Sequence, residues 1–132
     1  DKPLTITGGF SELSFGIWEG RAVAEVNAAD AQALGQFWRD PVGHPIPQGE
    51  PVADFDRRIG AAWDGLLRDY QGQHVLLVAH GGVIRMILRR LLDMPLHRIW
   101  RIEVPYAAIS RIRRHCDPEA EPHLVFHNGH LA

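Results

Sequence analysis

One histidine stands where a short apolar run meets two glycines. His80 follows the run 74–79 (HVLLVA) and precedes Gly81 and Gly82. In open α/β sheets, ligands bind at the carboxyl ends of strands, where the next helix directs its free amides and positive dipole end toward the site. Glycines let an anion approach these amides, and a neighbouring histidine can donate a hydrogen bond or bring positive charge. The turn predicts a phosphate site; the alternative is a plain strand cap followed by a turn.

Two carboxylates lie among aromatic residues near the start of the chain. Glu12 and Glu19 belong to the segment 11–20 (SELSFGIWEG), which also contains Phe15 and Trp18. A carboxyl group against aromatic surface has its pKa raised, which suits it to donate a proton as a general acid. Either glutamate could act in this way. The alternative is that the aromatic rings are core and both glutamates are solvated.

Composition restricts the classes of protein that can hold these groups. The chain has 132 residues and a formal net charge of −2, so nothing draws it to nucleic acid or to an anionic membrane. A single cysteine excludes a disulfide scaffold. Its apolar runs are far shorter than the roughly 20 residues of a membrane span, and no leader opens the chain. We expect a single domain over 1–132 that is soluble and cytoplasmic.

Helices must carry most of the scaffold. Apolar periodicity predicts three helices, over residues 22–38, 52–70 and 83–92. The first divides into two short pieces around residues 27–30. Pro51 suits the first turn of the second helix and Gly72 suits its stop. The segment 40–51 holds four prolines and two glycines and must be a loop, either a lid over a site or a plain connection.

The strands point to a sheet that is not complete within this sequence. Residues 74–79 form a continuous apolar run, which is typical of a strand buried on both faces by helices and flanked by parallel neighbours. We therefore expect a layered α/β/α domain with a mainly parallel sheet. Further strands are predicted over residues 3–7, 108–114 and 123–126. These strands are too few to complete such a sheet.

Three segments together resemble the histidine phosphatase superfamily, the phosphoglycerate-mutase-like enzymes. Residues 12–20 (ELSFGIWEG) look like the family's Glu-x-x-Phe-Gly-x-Trp-Glu-Gly segment. Residues 49–50 (GE) head the long helix as in the family's Gly-Glu-Ser motif, and residues 78–85 (VAHGGVIR) are similar to its second-histidine motif. The order and approximate spacing agree, so the resemblance spans about residues 3–131. Within this family, the sequence looks most like small phosphatases such as alpha-ribazole phosphatase.

The resemblance implies a two-step phosphoryl transfer that needs no metal and no other cofactor. One histidine takes the phosphoryl group, and water or another acceptor then removes it. By position, Glu12 would protonate the leaving oxygen, and His80 would stabilise the transferred phosphoryl group. Gly81 would contribute a backbone amide to the phosphate site. The glycine turn itself already predicts Gly82 as part of that site. Glu50 would have a structural or lid role.

The family's nucleophile does not occur in this sequence. It belongs to an Arg-His-Gly triplet at the end of the first strand, and neither that triplet nor the family's Ser-Pro-x-x-Arg arginine is found among the 132 residues. Since the chain opens at Asp1 and not at methionine, we expect the first strand and the nucleophile upstream, with this chain as about the C-terminal two-thirds of a domain. Alternatively, another segment or another chain completes it, a homodimer being one such assembly, or it is a remnant without catalysis. Alone, it should be inactive.

Two smaller departures concern substrate contacts. Pro51 replaces the serine of the Gly-Glu-Ser motif, and residues 105–107 (PYA) stand where many relatives carry an asparagine. Our hypothesis is a phosphoric monoester hydrolase acting on a small phosphorylated metabolite. The alternatives are a catalytically inactive phosphate-binding or regulatory module and a phosphoglycerate mutase.

The histidines near the end of the chain raise the question of a metal site. They are His115, His123, His127 and His130. If one strand ran through His123 and His127, these two would share a face but lie roughly 13 Å apart at about 3.3 Å per residue. They could not share one ion, and no metal is predicted.

Overall fold

The computed structural model of the protein describes residues 2–117 and 119–129. These residues form three helices, which are α1 (Val23–Arg39), α2 (Val52–Asp69) and α3 (Gly81–Leu91). Two strands follow, β1 (Ile109–Arg113) and β2 (His123–Gly129). Short 3₁₀ turns lie at Gly8–Phe10, Gly16–Trp18 and Leu96–Arg101. Within the described ranges, no helix combines the length and the hydropathy that crossing a membrane requires.

Helix α1 consists of two pieces that meet at Asp30. The backbone of Asp30 leaves the helical conformation (φ −154°, ψ 79°). Its carboxylate Oδ1 accepts a hydrogen bond from the Ala33 amide at 2.9 Å, as an N-terminal cap does. The predicted division around residues 27–30 is confirmed.

Helix α2 has the amphipathic character that its sequence predicts. Pro51 occupies the N-cap position, and Gly72 adopts a positive φ of 76° just after the helix ends. The side chains of Phe55 and Ile59 face the interior and are 1% and 0% exposed. This buried face packs against α3 and against the 3₁₀ turn Gly8–Phe10.

The core is centred on an aromatic cluster around Phe37. The ring of Phe37 lies 5.5 Å from Trp18, 5.4 Å from Trp38 and 5.5 Å from Trp100, measured between centroids. The pair with Trp18 is edge-to-face, an arrangement that aromatic quadrupoles favour. Trp100 and Trp63 pack partly buried against this core.

The two strands form an antiparallel pair, and this pair is the whole sheet within residues 2–117 and 119–129. The strands predicted over 108–114 and 123–126 are therefore confirmed. The strands predicted over 3–7 and 74–79 are not: both segments lack regular secondary structure. The parallel sheet of the expected α/β/α domain is accordingly not seen in the described residues.

Within the segment 74–79, residues 76–79 still alternate between the core and the outside. Leu77 and Ala79 pack against the core, whereas Leu76 and Val78 are 84% and 85% exposed. Burial on both faces was expected and is wrong for the described residues. The reason is physical: the described neighbours cover one side only. The result is an uncovered apolar face beside His80.

Replacing Phe37 by alanine tests whether the aromatic cluster holds the fold. Phe37 is 1% exposed, so Phe37→Ala leaves a cavity among three tryptophans and should lower the free energy of unfolding by about 3–5 kcal/mol. Val23→Ala removes a 61% exposed side chain and should change it by less than about 0.5 kcal/mol. Urea unfolding monitored by circular dichroism measures both. Equal effects of the two substitutions would refute the assignment.

Candidate functional site

His80 lies directly before a helix, as the sequence predicts, although residues 74–79 before it do not form the predicted strand. His80 is the N-cap of α3, with extended backbone (φ −82°, ψ 165°), and its side chain is exposed. Helix α3 begins at Gly81, two positions earlier than Val83 where the periodicity placed it. The unpaired amides of its first turn and the positive end of its dipole therefore lie directly after the histidine.

The carboxylate of Glu12 reaches this helix start from a distant part of the chain. Its Oε2 accepts a hydrogen bond from the Gly82 amide at 2.9 Å, although the two residues are 70 positions apart in sequence. A Cβ at position 82 would lie 2.2 Å from Oε1 of Glu12, so a side chain there would displace the carboxylate from this position. Folding thus brings Glu12 to the turn formed by His80 and Gly81.

One open cavity joins the predicted residues. Its volume is about 1470 Å³, and Glu12, His80, Gly81 and Gly82 all line it. Residues 74–79, the segment from residue 104 through β1, and residues of α2 and α3 line it as well. The exposed Leu76 and Val78 make part of this lining apolar. The cavity therefore combines the polar groups at the helix start with apolar side chains.

Glu19, the other candidate acid, has a different role. Its Oε1 accepts a hydrogen bond from the Phe15 amide at 2.7 Å, closing the turn that contains Gly16–Trp18. Glu19 is exposed, and it is not among the described residues that line the cavity. The structure distinguishes two glutamates that the sequence left equivalent.

Glu50 is held by an arginine that the sequence analysis did not single out. Arg58 donates from Nε and Nη2 to the two carboxylate oxygens of Glu50, at 2.9 and 2.8 Å. Hydrogen bonding to Glu50 raises the pKa of Arg58, as do the charges of Glu50 and Glu12, so its guanidinium stays charged. The sequence showed Arg58 only as a polar residue of α2, because its partner lies outside the helix.

The loop before α2 is tied to the segment that follows Glu12. The Glu50 amide donates to the Ser14 carbonyl at 3.0 Å, and the Ile17 amide donates to the Pro47 carbonyl at 3.2 Å. Gly16 has a positive φ of 51°, and a Cβ there would lie 2.3 Å from the Pro47 carbonyl oxygen. Glycine is therefore needed at this crossing. A lid function of the loop stays a prediction.

Of the histidines considered for a metal site, His127 is engaged by other contacts on both ring nitrogens. Nδ1 of His127 lies 2.7 Å from the Ser110 hydroxyl, and its Nε2 lies 2.6 Å from the Glu103 carbonyl oxygen. The described residues contain no group of three or more metal-ligating side chains. His130 lies outside the described residues.

Comparisons with known proteins point to one family. The family model of the histidine phosphatase superfamily (branch 1) matches residues 1–125. The chain is 33% identical over 101 residues to "Probable phosphoglycerate mutase GpmB" of Yersinia enterocolitica, covering 76% of this chain and 47% of the relative. It is 32% identical over 120 residues to "Bifunctional protein Rv2228c" of Mycobacterium tuberculosis, covering 91% and 33%.

A solved structure is also similar to this chain. The crystal structure of the alpha-ribazole phosphatase from Shigella flexneri matches with a TM-score of 0.77 and 26% identity, over 96% of this chain and 61% of that one. The chain thus spans between a third and a half of the two curated relatives' lengths and less than two thirds of the solved one.

The role of Gly82 can be tested against a matched glycine. Both Gly82 and Gly65 lie in helices, and alanine is ordinarily favoured over glycine there. Gly82→Ala displaces the Glu12 carboxylate and loses a charge-assisted hydrogen bond, so it should be less stable than Gly65→Ala by about 1.5 kcal/mol. Urea unfolding of the two variants measures this difference. A Gly82→Ala protein as stable as Gly65→Ala would contradict the contact.

Proposed function

Because the chain belongs to the histidine phosphatase superfamily, we propose that it is part of an enzyme that hydrolyses a small phosphomonoester through a phosphohistidine intermediate. The observation that supports this most directly is the hydrogen bond from the Gly82 amide to Glu12. It holds a potential proton donor at the helix start that follows His80, inside one cavity. An acid and an anion-binding helix end are the groups that phosphoryl transfer requires.

In the first step, a nitrogen of the nucleophilic histidine forms a bond to phosphorus while the ester P–O bond breaks. For this step Glu12 must carry a proton once the ester is bound, and it gives that proton to the departing oxygen, so that an alcohol leaves. In the second step, water attacks phosphorus, the P–N bond breaks, and the Glu12 carboxylate takes a proton from that water. The products are inorganic phosphate and the free histidine.

His80 and the first amides of α3 act on the phosphoryl oxygens. The His80 side chain is exposed to the cavity and makes no capping hydrogen bond to its own helix in the described structure. It can therefore direct a ring N–H to a phosphoryl oxygen. The amide of Gly81 lies at the same helix end. The amide of Gly82 already holds Glu12, so phosphate would share that donor with the acid.

We propose that the nucleophilic histidine lies outside residues 1–132, on a strand that packs against the uncovered side of residues 74–79. The supporting observations are the uncovered Leu76 and Val78 and the greater length of the relatives. A strand there would cover these side chains and would end beside His80. An uncovered apolar edge is otherwise a site of aggregation.

Trapping the intermediate tests the reaction and the origin of the nucleophile. The complete gene product, mixed with 4-nitrophenyl phosphate and quenched, should yield an acid-labile phosphohistidine on a peptide outside residues 1–132. The chain of residues 1–132 alone should show neither the adduct nor turnover. A phosphorylated histidine within residues 1–132 would contradict the proposal. Exchange of phosphate between two sites of a phosphoglycerate, without net release, would favour a mutase.

His80→Ala in the complete gene product extends that experiment. Loss of a group that stabilises the transferred phosphoryl oxygens should lower kcat by about 10²–10³-fold. His97→Ala is the control, because His97 is exposed and is not among the described residues lining the cavity. Unchanged turnover in His80→Ala would remove His80 from the mechanism.

The dependence on the leaving group tests Glu12 as the acid. Glu12→Gln preserves shape but cannot supply the proton, so kcat/KM for an alkyl phosphate such as glycerol 1-phosphate should fall by about 10²–10⁴-fold. This ratio reports transfer to the histidine and not the later attack of water, which is common to all substrates. The kcat/KM for 4-nitrophenyl phosphate should fall far less, since nitrophenolate leaves without protonation. Glu19→Gln is the matched control and should leave both rates unchanged. Equal losses on the two substrates would show that Glu12 does not act as the acid.

A further inference from the structure

We propose that Arg58 is the positioning residue for Glu12, holding the backbone of residues 9–12 where the Glu12 carboxylate meets the Gly82 amide. The proposal rests on the proposed function of Glu12 as the proton donor. It concerns a side chain that is not among the described residues lining the cavity. Arg58 would act on the reaction only through the segment it holds.

The contacts of Arg58 with this segment are to backbone atoms. Its Nη1 donates to the carbonyl oxygens of Gly9 and Ser11, at 3.1 and 3.0 Å. Its Nη2 lies 3.5 Å from the carbonyl oxygen of Glu12 itself. The segment has little regular structure of its own beyond the 3₁₀ turn Gly8–Phe10. One guanidinium therefore supplies the donors that fix three of its carbonyls.

Arg58 is itself fixed on the other side. Nε and Nη2 donate to the two carboxylate oxygens of Glu50, and the guanidinium carbon lies 5.1 Å from the centre of the Phe55 ring. Together with the three carbonyl contacts, each of the five N–H groups of the fork has an acceptor. The Arg58 side chain is 29% exposed and that of Glu50 is 21% exposed, so water competes only in part.

This arrangement explains why arginine in particular is needed. A lysine ammonium keeps the charge but has a single nitrogen with three donors, so it cannot contact Glu50 on two atoms and also reach the carbonyls. The segment 9–12 would then shift relative to α3. A displacement of about 1 Å between an acid and its target can cost about 10²-fold in rate.

Arg58→Lys in the complete gene product tests this role. We expect kcat/KM for glycerol 1-phosphate, which reports transfer to the histidine, to fall by roughly 10²-fold, whereas kcat/KM for 4-nitrophenyl phosphate should fall by less than about 3-fold. The reason is that only the alkyl leaving group needs the proton from Glu12. Arg57→Lys is the matched control, because Arg57 is a neighbouring, exposed arginine paired with Asp54. It should leave both rates unchanged.

A second variant separates positioning from a general loss of fold. Glu50→Gln keeps Arg58 and its carbonyl contacts but weakens its anchor, so it should show the same selective loss at a smaller magnitude. Equal losses of kcat/KM on both substrates, or none, in Arg58→Lys would overturn the positioning role. If Glu12→Gln itself showed no dependence on the leaving group, the proposed function would fail first, and the two failures are thereby distinguished.

Discussion

The hydrogen bond between the Gly82 amide and the Glu12 carboxylate is the contact on which the site depends. It joins the start of a helix to a segment 70 positions earlier, and it exists only if both backbones are held at the correct separation. The positive end of α3 and the absence of a side chain at Gly82 make the approach favourable. Much of the surrounding structure maintains this separation.

Helix α2 maintains the separation because it contacts both the segment that contains Glu12 and the helix that contains Gly82. Its Arg58 donates hydrogen bonds to the backbone of residues 9–12. Toward α3, it presents Asp56, whose Oδ1 accepts hydrogen bonds from Arg89 and Arg90 at 2.7 and 2.8 Å. Asp56 and Arg89 are 19% and 13% exposed, so loss of one partner would leave a poorly solvated charge. The two helices are thereby fixed in register.

The sequence predicted the parts of this protein that local patterns specify. The spacing of apolar residues predicts α2, α3 and the two strands β1 and β2. Capping chemistry within a few residues accounts for the division of α1 near Asp30. Its order of motifs also indicated the family. Residues 74–79 show the limit of such patterns: their composition suits burial on both faces, but burial depends on neighbours, and the described chain covers one face.

Only the tertiary structure decided which groups meet. Glu12 and Glu19 stand in similar aromatic surroundings in sequence, yet one contacts Gly82 and the other closes its own turn. Arg58 looked like one polar residue among several on α2, and its significance came from carbonyls that lie 46 to 49 positions away. Periodicity reports how a segment faces the interior. Contacts between distant segments depend on how those segments pack, and no local spacing contains that information.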